Sequence, residues 1–354
     1  MNKYWSERVK GLKPYIPGEQ PKNQKYIKLN TNENPYPPSI NVIKAINEAN
    51  NETMKLYPDP NCDELRKAIS EFYEVDEDEV FIGNGSDEVL GFSFMAFFNP
   101  GKPVLFPDIT YSFYKVYANL FNIDYELIPL DADFNVELNK FCIENGGVVI
   151  PNPNAPTSKY IEVNGFKKVI ESSSSSVVII DEAYVDFGGE SAVKFIKDYP
   201  NVLIVQTLSK SRSLAGLRVG FAIGNRELIT ALNMVKNSIN SYTIDRLALA
   251  GATAAIKDKE YFEETRKKII KTREKTVKVL KEVGFEVLDS KANFIFISHP
   301  KIYAGNLFRE LRSKGILVRH FSDGRIDNYL RVSIGTEYEM NKFLKVVQDI
   351  AENL

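Results

Sequence analysis

Residues 201–221 read NVLIVQTLSKSRSLAGLRVGF. Val202, Leu203, Ile204 and Val205 form an apolar run with the composition of a buried strand. The run gives out at Ser209-Lys210-Ser211, and strand-like sequence resumes in RVGFAIG, residues 218–224. A lysine where a buried strand ends is either an ordinary solvated side chain or a functional amine. The surrounding sequence supplies the means of choosing.

Similar strands precede it: EVFIG (79–83), PVLFP (103–107), DYELIPL (124–130), GVVIPNP (147–153) and SVVIIDEAY (176–184). Helical segments such as DELRKAISEFYEV and TYSFYKVYANLFN lie between them, with another expected between DYELIPL and GVVIPNP. This alternation predicts an α/β fold, with a mostly parallel, seven-stranded-type sheet flanked by helices. SINVIKAINEANN reads as a helix capped by Ser39, with Ile40, Ile43 and Ile46 on one face. Long helical segments fill roughly 226–283. From about residue 285 the pattern changes to FEVLDS, NFIFISH, ILVRHF and YLRVSIG, four strands mixed with two helices. The expected division is an N-terminal arm (1–30) that joins the small domain, a large domain (31–284) and a small α+β domain (285–354).

The chain has 354 residues, 44% hydrophobic and 26% charged, with a formal net charge of -2. Such a balance offers no electrostatic footprint for nucleic acid or a membrane surface. The start, MNKYWSERVK, is polar and charged, so a signal peptide is not expected there. No apolar run approaches the ~18 residues of a membrane span. Cys62 and Cys142 are far apart, which fits a reducing cytoplasm better than a disulfide framework. His299 and His320 have no partner at metal-ligand spacing, so no metal site is expected. Zinc hydrolysis and Ser-His chemistry lose most of their support, and lysine becomes a candidate for proton transfer.

In α/β sheets function gathers at the carboxyl ends of strands. Four loops there stand out. GNGSDE (83–88) opens a helix, where Ser86 and Asp87 either cap it or present backbone N–H groups to an anion. NPNAPTS (152–158) is a rigid turn or a way of aiming an asparagine amide. In VVIIDEAYVDF, Asp181 ends a strand and Tyr184 follows; the carboxylate either caps a helix or needs a cationic or hydrogen-bonding partner. In the fourth loop Ser209 and Arg218 flank Lys210 with groups suited to phosphate. Phosphate anchor, acid, phenol and amine together are what pyridoxal phosphate requires.

The motifs TLSKSRSLAGLRVGF, IIDEAYVDF, LNTNENPYPP, LYPDP and GNGSDE resemble those of the fold-type I pyridoxal-phosphate aminotransferases. Within that group the chain is similar to the histidinol-phosphate branch, over nearly its whole length. The resemblance implies pyridoxal 5'-phosphate as cofactor, with Lys210 as the Schiff-base lysine. It implies that Asp181 pairs with the ring nitrogen, and that Tyr184 bonds the ring hydroxyl. Ser209, Arg218 and the backbone at Ser86-Asp87 would hold the phosphate, with Tyr111 stacked on the ring. Tyr57 would reach the neighbouring subunit's cofactor, which implies a homodimer with shared active sites. Arg331 would bind the substrate carboxylate, with Arg319, Tyr15 and Asn32 on the substrate side. Ala155 stands where the family often has asparagine, so either Asn154 takes the ring-hydroxyl contact through a shifted loop or Tyr184 makes it alone. The implied reaction moves an amino group from a small donor, histidinol phosphate, to the oxo acid 2-oxoglutarate, giving imidazole-acetol phosphate and glutamate. A threonine-phosphate decarboxylase, an aromatic or broad-range aminotransferase and a non-catalytic PLP-binding regulatory module are the alternatives. The intact Lys210–Asp181 pair weighs against the last.

Overall fold

The structure is a computed structural model that describes residues 3–21 and 26–352. Residues 1, 2 and 22–25 of the expected arm lie outside the described residues. After the short strand β1 (Ile27–Lys28), seven strands share one sheet. They are β2 (Val80–Gly83), β3 (Val104–Pro107), β4 (Tyr125–Ile128), β5 (Gly147–Pro151), β6 (Val178–Asp181), β7 (Val202–Thr207) and β8 (Gly220–Gly224). Their spatial order is β2-β8-β7-β6-β5-β3-β4. The mostly parallel α/β sheet expected from the sequence is therefore present, with one reversal. Strand β8 runs antiparallel to both β2 and β7. Parallel neighbours need a long crossover, usually a full helix. The β7–β8 connection contains only the short turn Ala215–Leu217, so the chain doubles back.

Helices in chain order are α1 (Glu7–Lys10), α2 (Ile40–Ala49), α3 (Asp63–Tyr73), α4 (Gly85–Phe97), α5 (Phe113–Phe121), α6 (Lys167–Ser172), α7 (Arg226–Ile239), α8 (Arg246–Lys257), α9 (Lys259–Glu282), α10 (Ala304–Ser313) and α11 (Glu337–Glu352). Of these, α2, α3, α6 and α8 cover one face of the large sheet and α4, α5 and α7 the other. Ile150, Ile180 and Ile204 share a core with Ile69 of α3 and Ala252 of α8. The alternate residues Val149, Ile179 and Leu203 pack on the other face with Leu90 of α4 and Leu232 of α7. Burial on both faces explains why these strands are continuously apolar rather than alternating.

Some local expectations change. Ser39 caps α2, its hydroxyl accepting from Val42 N at 3.3 Å. The inward face is nevertheless set by Val42 and Ile46, which pack into the core shared with α8. Ile40 and Ile43 point outward, 67% and 41% exposed. Between β4 and β5 stands a short 3-10 turn, Leu138–Phe141, rather than a helix. The Asp-, Asn- and Gly-rich sequence around it favours turns. FEVLDS contracts to β9 (Glu286–Val287). After β10 (Phe294–Ser298), ILVRHF divides at Val318 because its halves take different partners. β11 (Ile316–Leu317) pairs with β1, while β12 (Arg319–His320) joins β13 (Leu330–Ser333) in the sheet β12-β13-β10-β9. Ile269 and Leu280 of α9 pack into the core of this smaller sheet, so that helix ties both halves together. No helix among the described residues is long and apolar enough to cross a membrane.

Candidate active site

Strands β6 and β7 are parallel neighbours, with Asp181 opposite Val205. Asp181 and the loop that follows β7 therefore open at the same edge of the sheet. Between that edge and the smaller sheet lies a cavity of about 390 Å³.

At its floor, Asp181 is only 5% exposed. Its Oδ2 accepts the Tyr114 hydroxyl at 2.6 Å, and its Oδ1 accepts Ala183 N at 3.2 Å. Burial pushes its carboxyl up to about 6, and the Tyr114 and Ala183 bonds work against that rise. Lys210 Nζ donates to the Thr31 carbonyl at 3.3 Å and sits 5.8 Å from the Tyr184 ring centroid. Its loop is pinned from several sides. Asn34 Nδ2 donates to the carbonyls of Lys210 and Ser211 at 3.0 and 3.2 Å. Ser211 donates to Asp186, and the Arg212 guanidinium lies 3.6 Å from the Phe262 ring centroid while donating to the Ala255 carbonyl.

One wall is the start of α4. Its N-cap, Asn84, makes no side-chain capping bond, so neither Ser86 nor Asp87 is the cap. The first-turn N–H groups at Ser86 and Asp87 are thus left for an anion. Arg218 reaches Asp87 Oδ2 at 3.0 Å and Ser209 Oγ at 3.5 Å. Close approach here depends on glycine. A Cβ on Gly85 (φ +77°) would lie 2.6 Å from Arg218 Nη2, and one on Gly220 would lie 2.3 Å from Ser86 N. Tyr111 donates to Asp87 Oδ1 at 2.7 Å, and Tyr117 to the Asp87 carbonyl at 2.8 Å.

The opposite wall is basic. β12 and β13 place Arg319 directly opposite Arg331. Arg331 is partly buried, and the desolvation pushes its pKa down. Among the described residues its side chain donates one bond, to the Asn30 carbonyl at 2.9 Å, and its Nε has no partner. The Arg319 side chain makes no hydrogen bond or ion pair among the described residues and lies 5.7 Å from the Phe321 ring centroid. Like charges facing each other across a strand pair are unfavourable unless something anionic lies between them. Tyr15 also lines the cavity and stacks on Phe113, ring centroids 4.5 Å apart. Asn32 has a left-handed backbone (φ 55°) and donates from Nδ2 to the Tyr184 hydroxyl at 3.0 Å.

Of the residues singled out from sequence, Tyr15, Asn32, Ser86, Asp87, Tyr111, Asp181, Tyr184, Ser209, Lys210, Arg218, Arg319 and Arg331 all line this cavity. Two do not. Asn154 is fully buried beneath it. Its Nδ2 donates to the Ile109 carbonyl and Thr157 Oγ1, and its Oδ1 accepts Thr110 Oγ1. With both donors engaged it has none to offer a ring hydroxyl, so the shifted-loop expectation is corrected. Ala155 and Pro156 face the cavity in its place. Tyr57 lies outside its own chain's cavity, 79% exposed and stacked on Tyr242. Thr31, Asn34 and Tyr114 were not singled out. Thr31 and Asn34 sit within LNTNENPYPP, but nothing in that motif says that they hold the lysine. Tyr114 carries the weak signal of lying three residues, one helical turn, after Tyr111.

Residues 24–347 match the family described as aminotransferase class I and II. The chain belongs to that family. Among its relatives, a histidinol-phosphate aminotransferase from Clostridium acetobutylicum is 66% identical, covering 99% of each chain. Another so named, from Clostridium beijerinckii, is 58% identical over 100% of this chain and 99% of its own. The structure of the histidinol-phosphate aminotransferase from Sinorhizobium meliloti, solved in complex with pyridoxal-5'-phosphate, superposes with a TM-score of 0.88. It is 22% identical and covers 99% of this chain and 98% of its own, so the likeness is one of fold. In this aminotransferase the cavity thus stands at the carboxyl ends of the parallel strands, where α/β folds place ligands.

Proposed function

We propose that this aminotransferase uses pyridoxal 5'-phosphate to move an amino group from histidinol phosphate to 2-oxoglutarate. The products are imidazole-acetol phosphate and glutamate, and the setting is histidine biosynthesis in the cytoplasm. The facing pair Arg319 and Arg331 carries the substrate reading. Such a pair suits a site that meets a phosphate in one half-reaction and a carboxylate in the other. The name shared by the relatives supports the same donor.

The residues present fit the cofactor. The uncapped first turn of α4, Arg218 and the Ser209 hydroxyl converge as a phosphate cradle. Asp181 is a buried carboxylate with no cation within ion-pair distance among the described residues, which suits a protonated ring nitrogen. Bound there, pyridoxal phosphate supplies an electron sink for a carbanion at the substrate carbon. Lys210 moves the proton at that carbon, Asp181 holds the ring-nitrogen proton, and Tyr111 lies in place to cover the ring face. Tyr184, steadied by Asn32, serves the ring hydroxyl. The same reading divides the chain into the arm (1–30), the large domain (31–284) and the small domain (285–354), supported by the pairing of β1 with β11.

An amine-donor panel tests the substrate. Cofactor absorbance is followed through a single turnover with histidinol phosphate, phenylalanine, aspartate and threonine phosphate. Histidinol phosphate is expected to react with the highest kcat/KM. Faster reaction with phenylalanine or aspartate, or release of carbon dioxide from threonine phosphate, would replace this assignment.

The proposed assembly is a homodimer in which Tyr57 serves the partner's site. Its outward position supports this, as does the exposure of neighbouring Met54 and Leu56, 50% and 58% exposed. Mixing Tyr57→Ala and Lys210→Ala subunits, each inactive alone, is expected to recover activity, because one site of each mixed dimer regains both groups. Mixed dimers as inactive as their parents would count against shared sites.

A further inference from the structure

We infer that Tyr114 is a positioning residue that fixes where the proton rests between Asp181 and the cofactor's ring nitrogen. The inference rests on the cofactor reading above. Tyr114 is fully buried, and its hydroxyl donates to Asp181 Oδ2 at 2.6 Å. A buried phenol needs an acceptor, and a backbone carbonyl would have served that need. This one instead meets the carboxylate at the floor of the cavity. The other donor to Asp181, Ala183 N, is longer at 3.2 Å. The phenol ring is held edge-on between Phe106 and Tyr111, centroids 5.8 and 5.7 Å away. Its orientation is therefore fixed by packing before any ligand arrives.

The turn that opens α5 thus holds two acidic groups. Tyr111 donates to Asp87 beside the phosphate cradle, and Tyr114 donates to Asp181 beneath the ring. The charged and titratable groups around Asp181 are Tyr114 and Tyr111 from this turn, Asp87 from α4, Tyr184 from the loop after β6, and Lys210 and Arg218 from the β7–β8 loop. Asp87 disfavours a second negative charge, whereas the Tyr114 bond favours it. A donated hydroxyl draws charge from the carboxylate and lowers its proton affinity. Without it the proton shifts: the ring N–H bond breaks and an Asp181 O–H bond forms, with no change in total charge.

Two measurements test this. In the cofactor-free protein, the Asp181 carboxyl is titrated by carbon NMR with labelled aspartate. Tyr114→Phe is expected to raise its midpoint by about one unit or more, the scale of a lost charge-assisted bond. In the loaded protein, nitrogen-15 in the cofactor ring reports the ring proton directly, and Tyr114→Phe is expected to move that resonance toward the unprotonated form. A 3-fluorotyrosine placed at position 114 keeps the shape, donates more strongly and is expected to shift both readings the opposite way, which separates the hydroxyl's effect from loss of packing. Unchanged titration and resonance in both variants would overturn the inference. If the wild-type protein takes up no pyridoxal phosphate, the cofactor reading fails instead, and the cofactor-free titration still decides whether Tyr114 tunes Asp181.

Discussion

Lys210→Ala is expected to slow the half-reaction with histidinol phosphate by a factor of about 10⁴, the upper end of what a positioned acid–base group contributes. The fold should hardly notice. Among the described residues Lys210 Nζ makes one hydrogen bond, to the Thr31 carbonyl at 3.3 Å. The loop itself is held by Asn34, Ser211 and Arg212, all of which the substitution leaves in place. A large kinetic loss with little change in melting temperature therefore identifies the amine as chemical rather than structural. Borohydride treatment of the wild-type protein is expected to fix the cofactor's mass on the peptide containing Lys210. Turnover of Lys210→Ala at the wild-type rate would return this side chain to the solvated lysine that its sequence position also allows.

The fold was legible where one physical signal dominated. Val178–Asp181 and Val202–Thr207 are buried along their whole length, and continuous apolar runs of that kind have few other destinations. The reversal of β8 was less visible, because strand direction depends on the connection rather than on the strand's own composition. Two-residue pairings such as β1 with β11 carry almost no local signal; they exist because β11 lies alongside them. The outward turn of Ile40 and Ile43 has a similar origin, since three isoleucines at near-helical spacing define a face without saying which neighbour α2 will meet.

The candidate site was legible in its polar residues at strand ends and opaque in their supports. Asp181, Ser209, Lys210 and Arg218 stand out because charge or hydroxyl interrupts an apolar context. Tyr114 and Asn34 act across chain separations that sequence order hides: Tyr114 meets a carboxylate on β6, and Asn34 holds carbonyls beyond β7. Asn154 misled for the opposite reason. Its proline-framed loop does aim the amide, but inward, at Thr157 and the Ile109 carbonyl.

Arg331→Ala is expected to weaken the glutamate half-reaction by about 3 kcal/mol, roughly a hundredfold in kcat/KM, the scale of a lost desolvated charge pair. Arg331 has unspent capacity for such a partner: among the described residues its buried Nε has no acceptor, and its one side-chain bond is to a backbone carbonyl. Glutamate carries an α-carboxylate where histidinol phosphate has none, so a planar guanidinium that meets the carboxylate is felt in one half-reaction through that group alone. Histidinol phosphate brings a phosphate instead, and Arg319, opposite on β12, is placed to share it. The loss is therefore expected to be larger for glutamate than for histidinol phosphate. Removing Arg331 also relieves its repulsion with Arg319 but leaves the Asn30 carbonyl without its donor, so the kinetic comparison belongs with a melting curve on the same protein. Arg331→Lys is expected to recover little, because an ammonium cannot reproduce the two-pronged contact. If both half-reactions of Arg331→Ala run at wild-type efficiency, the carboxylate is held elsewhere, and the smaller sheet loses its assignment as the substrate-binding side.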